Sequence, residues 1–485
     1  MLNSYRYQGY RHATSQFRCI CIYAYNYRDG VGDAVAAFRV AKELHKLKIK
    51  NLLPPIVGII ELEHGTKIKA IKRLLEGHIK YFDKIFLIST DQKLLDTALD
   101  WPPNVIPMPQ WIVIYGSNLD IINYVSSAEA FFKIYYNESS TQVDKHFQNC
   151  LPYNSKRITI TELGLQDRDN TAFRLNLDTG GIWIDKHPEE NLDLRAQRLL
   201  SFNNQEYIKM LLNTPAPTQK LAQQYLQNTH FMPGHVQNTR QALFFVMSHV
   251  LKYCDAKGTL ITSCDFHLPK GMVDQSLFEW AMVQSGLSKV KLKFFDPNNI
   301  QISPNQTENK KEPKVRIISG YFLDIEDYES LYLISNDGAA CSGDNSFLQV
   351  MSSHHPVFIT GFGVLNQSIG NHVAIGNSFV KHFALRSFKQ LMEKYTLREY
   401  ATTMLAGANF ETMNPFYRGE TNQYDSLILK QAKEIAIVMK DPDFKRKWKA
   451  FREVVHQHYN FSDAFQAIVY TMFKIRIEPK PKPSL

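Results

Sequence analysis

The sequence predicts an α/β chain of two Rossmann-like domains that face each other across a cleft, followed by a helical C-terminal extension. Three observations carry this expectation. Strand-length apolar runs alternate with helix-length segments in both halves, the rhythm of parallel sheets with crossovers. Each half holds one glycine-bearing loop between a strand-like and a helix-like stretch. A chain of 485 residues is also too long for one ordinary core, so a single such unit leaves half of it unexplained. The expected divisions are residues 1–235, 236–395 and 396–485, the first with an irregular insertion and the last helical.

The elements follow in chain order. Phe17 to Tyr23 is rich in β-forming residues, Asn26 to Gly32 is turn-like, and Asp33 to Lys46 has helical spacing with Val35, Phe38, Ala41 and Leu44 on one face. Ile56 to Ile60, Lys84 to Ser89 and Trp111 to Tyr115 read as further strands. Between residues 140 and 240 the pattern is less regular, with short strands expected at Ile158 to Glu162 and Gly181 to Asp185 and a helix at Ser201 to Asn213. Gln237 to Lys252 opens the second half as a long apolar helix. Strands are then expected at Thr259 to Ser263, Val290 to Phe295, Val315 to Ile318 and Pro356 to Thr360, and the chain from Phe379 onward reads as mostly helical.

Composition narrows the function classes. Apolar residues at 44% and charged residues at 21% match ordinary globular proteins, which argues against disorder and fibrous architecture. The net charge of +9 is scattered along the chain, so a generally basic exterior is the first reading, with an anionic ligand or a membrane surface as alternatives. No nucleic-acid partner is expected, because no zinc-finger spacing, RNP motif or basic heptad helix occurs. The six cysteines are dispersed; the one close pair, Cys19 and Cys21, lies on one face of a strand, which suits buried thiols better than a metal site. The N-terminus is polar and no apolar window reaches membrane-span length, so the expectation is a soluble protein acting in the cytoplasm, with delivery into another cell left open.

The chemistry concentrates in the two loops. Asn26-Tyr27-Arg28-Asp29-Gly30-Val31-Gly32-Asp33 follows a strand, where open α/β sheets bind ligands. Gly30 and Gly32 allow close approach of a ligand to the backbone, but the flanking aspartates repel a pyrophosphate, and a general base fits better. The competing reading is that Asp33 merely caps the helix that follows. In the second loop, Ser342, Gly343, Asn345 and Ser346 offer small side chains and free N–H groups at a helix start, a combination that binds phosphate oxygens, and Asp344 is suited to accept hydrogen bonds from sugar hydroxyls. Capping is again the competing explanation.

These residues carry a resemblance. The spacing from Asp29 to Asp33, followed by Arg39 and Leu44, resembles the N-terminal loop and helix of the EarP-type protein-arginine rhamnosyltransferases, which are glycosyltransferases of the two-Rossmann-domain, or GT-B, kind. The resemblance implies that Asp33 is the catalytic base and Asp29 its companion. Phe322, Asp327, Tyr328 and the turn Ser342 to Ser346 look like that family's nucleotide site. It implies Phe322 as the ring stacking on the base, Asp344 as the ribose-binding acid, and Asn345 and Ser346 as phosphate contacts. The turn departs from the family at Ser342, where an arginine is expected, and at Asn345, where a second acid is; near the stacking ring, Ile325 stands where a glutamine is expected. The implied activity is inverting, metal-independent transfer from a nucleotide-sugar donor to a protein side chain, with no cofactor beyond the donor.

Other polar residues rank lower. His230, His235 and His267 are minor candidates for a donor phosphate, and the adjacent His354 and His355 point to opposite faces of an extended segment, which disfavours a metal pair. Thr179-Gly180-Gly181 is a candidate tight turn on the acceptor side. Two rival functions remain: a nucleotide-sugar epimerase or hydrolase on the same fold, and a non-catalytic binding protein.

Overall fold

The structure is a computed structural model that describes residues 18–26, 32–48, 53–62, 77–89, 111–115, 119–134, 142–160, 182–185, 187, 190–297, 312–321, 323, 325–342, 344–360, 392–394, 396–404 and 421–474. The chain separates into two units, one of residues 1–162 with 466–485 and one of residues 163–465.

The first unit is built on a parallel sheet. Its strands are β1 (Cys19–Asn26), β2 (Ile56–Leu62), β3 (Lys84–Ser89), β4 (Trp111–Tyr115), β5 (Ala128–Ile134) and β6 (Lys156–Ile160), in the order β4-β3-β2-β1-β5-β6. Every pairing is parallel. The near-continuous apolar runs of β1 and β2 follow from cover on both faces. On one face the Gly32–Lys48 helix lays Ala34, Ala37, Phe38, Ala41 and Leu44 into the core, and Phe38 meets Phe82 at 5.8 Å between ring centroids. On the other, Cys19, Cys21 and Tyr23 pack with Phe131 and Phe147. Both cysteines are buried free thiols with their sulfurs 3.7 Å apart, as the alternating strand pattern predicts.

The second unit has a parallel sheet of β7 (Thr229–Pro233), β8 (Ser263–Leu268), β9 (Lys291–Phe295) and β10 (Lys314–Ser319), in the order β7-β8-β10-β9. A parallel pair, β11 (Ala339–Cys341) and β12 (Val357–Ile359), continues it, because Gly234 bridges to Ala340 just past the end of β7. The Thr239–Lys252 helix covers one face, where Phe245 meets Phe266 and Phe358 at 5.6 and 5.4 Å, and it packs along the Thr421–Met439 helix. The helices Leu192–Leu200, Gln205–Leu212 and Gln219–Asn228 cover the other face over Phe231 and Ile318. Two Rossmann-like α/β units in one chain are the make-up of the GT-B class.

Several elements differ from their expected places. β5, β7 and β11 were not expected, and β7 lies within the residues 1–235 assigned to the N-terminal domain although it pairs in the second sheet. The strand expected at Thr259 to Ser263 begins at Ser263 instead, since the residues before it form a turn closed by a Cys254–Leu260 bridge. Gly181 to Asp185 contributes a single bridge, Ile182 to Asn460, among the described residues. Thr179 and Gly180 lie outside them. The helical C-terminal region is divided: the Thr421–Met439 and Phe444–His458 helices belong to the second unit, and residues from Gln466 onward to the first.

Candidate functional site

In an open parallel sheet, ligands bind beyond the carboxyl ends of the strands, where the order of strands reverses. In the first sheet that point is between β1 and β5, and in the second between β7 and β11.

The second reversal gathers a defined set of groups. β7 runs through Pro233 to Gly234, whose N–H donates to His267 O at 2.8 Å, and His235, whose N–H donates to Ala340 O at 3.0 Å. Glycine is needed at 234, because a Cβ there would lie 2.9 Å from the Phe245 ring and 3.0 Å from Leu268 Cδ2. The strand therefore delivers the His235 side chain to the turn after β11. There His235 Nδ1 and Ser342 Oγ share a hydrogen bond of 3.0 Å, and Gln237 Nε2 donates to Ser342 O at 3.4 Å. The Ser342 N–H donates to Ser346 Oγ at 3.3 Å, an arm of the kind that closes a capping box. Ser342 and Ser346 are both buried, and Ser346 sits in the first turn of the Asp344–Ser352 helix. Burial lowers the pKa of His235, so its ring is neutral at pH 7.

One strand over, His267 ends β8 opposite Pro233. Its Nδ1 shares a 2.9 Å hydrogen bond with the Tyr207 hydroxyl, and burial lowers its pKa to about 4. His230 lies at the amino side of β7, stacked on Tyr253 at 4.0 Å, away from the carboxyl edge. Of the three histidines weighed in the sequence, His235 and His267 reach that edge and His230 does not.

In the first unit, Asp33 stands in the first turn of the Gly32–Lys48 helix and is 3% exposed. On the neighbouring strand, the buried Glu61 accepts a hydrogen bond from the Tyr23 hydroxyl near the carboxyl end of β2, a pair the sequence did not single out. Asp29, Gly30, Phe322 and Gly343 lie outside the described residues, and Gly32, Asp344 and Asn345 are described in their backbone only.

Asp327, part of the stretch that resembles the nucleotide site, faces inward. Its carboxylate is buried and accepts the N–H groups of Asn203 and Asn204 at 2.9 and 3.0 Å. It thus fixes the turn leading into the Gln205–Leu212 helix, with both oxygens committed. Tyr328 is similarly internal, with its hydroxyl 3.1 Å from that of Tyr332.

No protein-family profile and no curated protein matches the sequence. Among solved structures, the chain is similar to a protein from Listeria monocytogenes assigned as a UDP-N-acetylglucosamine 2-epimerase, at 10% identity over 96% of this chain and 98% of that one, with a TM-score of 0.34. It is also similar to an α,α-trehalose 6-phosphate synthase from Burkholderia multivorans, at 10% identity over 95% and 98% of the two chains, with a TM-score of 0.31. A UDP-forming α,α-trehalose-phosphate synthase from Burkholderia xenovorans aligns at 11% identity over 91% of this chain and 79% of that one, with a TM-score of 0.28.

Proposed function

We propose that this chain is a glycosyltransferase that moves a sugar from a nucleotide-sugar to a protein side chain by inversion and without a metal ion. The observation that carries the reading is the turn at the second reversal point, where His235, Ser342 and Ser346 interlock at the start of a helix. Free N–H groups of the first helical turn suit a diphosphate, and a neutral His235 that accepts from Ser342 through Nδ1 keeps a proton on Nε2 to donate to a phosphate oxygen. Such donors stabilise the charge that develops on the leaving diphosphate. Gly343, Asp344 and Asn345 complete this donor turn in the proposal, and Phe322 stacks on the base.

In the same reading Asp33 removes the acceptor's proton and Asp29 orients the acceptor, with Gly30 and Gly32 giving it room. Support for Asp33 comes from its burial beside the end of β1 at the reversal point of the first sheet. A screen of nucleotide-sugars by thermal shift identifies the donor, and transfer is then followed with Asp33→Asn. The expected loss is at least about a hundredfold in kcat, as for removal of a positioned base, with donor affinity nearly unchanged. An Asp33→Asn protein that is fully active, or a panel in which no nucleotide binds, defeats the reading.

A further inference from the structure

In a parallel sheet a crossover helix runs back from the carboxyl edge of one strand to the amino edge of the next. The Thr239–Lys252 helix, between β7 and β8, and the Gln275–Gln284 helix, between β8 and β9, therefore end at the amino edge of the second sheet. The Thr421–Met439 helix ends there too, because Lys440, which follows it, donates from Nζ to Cys254 O at 2.8 Å. The Lys440 N–H donates to Ile437 O at 3.1 Å, so Ile437 lies in that last turn. One peptide away, Tyr253 O accepts from the Ile261 N–H at 2.9 Å. The turn that returns to Ile261 touches the remaining helix end: a Cβ on Gly258 would lie 2.9 Å from Gly286 O, and the Gly286 N–H donates to Val283 O at 3.0 Å.

Ile437, Ile261 and Val283 are 70, 64 and 60% exposed, and they are three of the five large apolar side chains exposed among the described residues. Apolar exposure is thus concentrated where these helices end, and side chains exposed to this degree project outward and line no groove. Lysines stand around them. Lys433 and Lys440 flank Ile437, Lys257 precedes Ile261 in its turn, Lys289 follows the Gln275–Gln284 helix, and Lys445 is in the first turn of the Phe444–His458 helix; all five are exposed. Three exposed carboxylates share these turns, Asp255, Glu279 and Glu434, and Asp255 Oδ1 is turned onto the N–H groups of Lys257 and Thr259 at 2.8 Å each. Asp441 and Asp443 are paired with Lys447 and Arg446. Lysine therefore remains in excess around the projecting aliphatic residues, in a chain of net charge +9.

We propose that this face of helix ends docks on an anionic lipid bilayer, with Ile437, Ile261 and Val283 entering the headgroup layer and the lysines meeting lipid phosphates. Exposed apolar residues gathered on one face mark an interaction surface. Protein interfaces favour aromatic, Met and Arg anchors set in complementary pockets and are poor in Lys, whereas this face is aliphatic, projecting and lysine-rich. A bilayer needs no matching pocket, and lysine stems lie along its apolar boundary while their ammonium groups stay at the headgroups. Each such lysine adds attraction to anionic lipid that salt screens. The face lies at the amino edge of the sheet, away from the donor turn at the carboxyl edge, and its docking does not depend on the proposed transfer.

The test is co-sedimentation of the full chain with vesicles of phosphatidylcholine alone and of equal parts phosphatidylcholine and phosphatidylglycerol. It uses wild type, the double variants Ile261→Ser with Ile437→Ser and Lys257→Gln with Lys433→Gln, and Leu194→Ser, which changes an exposed leucine on another helix. Wild type and Leu194→Ser are expected to sediment with the mixed vesicles, to a degree that falls as salt is raised, and not with phosphatidylcholine alone. The isoleucine pair is expected to lower partition at least about tenfold and the lysine pair several-fold, with melting temperatures unchanged because all four residues are exposed. Absence of sedimentation with the mixed vesicles, wild-type partition in the isoleucine pair, or an equal loss in Leu194→Ser overturns the proposal. Equal binding to both vesicle types overturns its anionic preference. Self-association that the isoleucine pair abolishes, without vesicle binding, assigns the face to a second copy of the chain and overturns the bilayer. Should the isoleucine pair melt early, wild-type partition in the lysine pair overturns it equally.

Discussion

Lys252 and Asp337 illustrate what an ionised pair requires inside this protein. Their side chains are 8% and 0% exposed, and both carboxylate oxygens accept from the Lys252 ammonium. Burial alone raises the Asp337 pKa, but Lys252 and His249 outweigh it, and the carboxyl is held well below its usual range. A neutral replacement at 337 leaves the ammonium enclosed without its counter-charge, and breaking a buried pair from one side costs about 3–5 kcal/mol. Asp337→Asn is therefore expected to lower stability by that order in urea unfolding. The double variant Asp337→Asn with Lys252→Met is expected to recover a large part of the loss, because neither charge is then stranded. Equal losses in the single and double variants exclude the pairing as the cause. Asp265 and Arg316 repeat this logic between β8 and β10: Arg316 Nε donates to Asp265 Oδ1 at 2.8 Å, and Arg316 Nη2 to Leu211 O at 2.9 Å at the end of the Gln205–Leu212 helix.

At the scale of elements, the start of the Thr239–Lys252 helix is set by one side chain. Asn238 Oδ1 accepts from the N–H groups of Arg240 and Gln241 at 3.0 and 2.9 Å, while the residue itself is extended. Asn238→Ala is expected to cost about 1 kcal/mol and Asn238→Asp to cost little, measured by thermal unfolding. That helix follows directly from His235 and Gln237, so the same variant is expected to weaken donor binding if the turn is the donor site. Helices of this kind were legible in the sequence, as were β3 and β4, because apolar periodicity and caps are local. β5, β7 and β11 were not. β11 is three residues of Ala-Ala-Cys and β7 carries His and Pro, so neither has the β-branched signature, and each is fixed by its neighbours in the sheet. β8 was displaced for the same reason: Thr259 to Thr262 look more strand-like than Ser263–Leu268, which holds Asp265 and His267. Those polar residues are tolerable in a buried strand only through Arg316 and Tyr207, partners far away in sequence. The donor turn at Ser342 to Ser346 was visible from composition alone, whereas His235 gained its place from the β7–β11 pairing that the sequence did not reveal.

For the molecule as a whole, the distribution of buried histidines sets a response to acid. His249 and His267 are buried, with pKa lowered by burial to about 4, and both lie in the unit of residues 163–465. His249 is locked by an Nδ1 contact of 2.9 Å to Phe245 O and His267 by its contact to Tyr207. When that unit unfolds, each ring returns to an ordinary value near 6.5 and binds a proton that the folded state refuses. The unfolded state then holds more protons between pH 6.5 and 4, so the free energy of unfolding rises with pH through this window and falls as pH drops. Asp337, with its lowered pKa, adds to the loss in the same direction as pH falls further. Between pH 7 and 5 the expected loss is on the order of 1–2 kcal/mol for each of the two histidines. Hydrogen exchange resolved by peptide at the two pH values, corrected for intrinsic rate, is the measurement. Protection in the Thr239–Lys252 helix and β8 is expected to fall at pH 5 and to recover in part in His267→Gln, whose side chain has no proton to gain. Unchanged protection in both proteins at pH 5 contradicts the neutral, enclosed state of these rings. Because the neutral form of His235 rests on the same burial, it would also remove the basis for its role as a donor to phosphate.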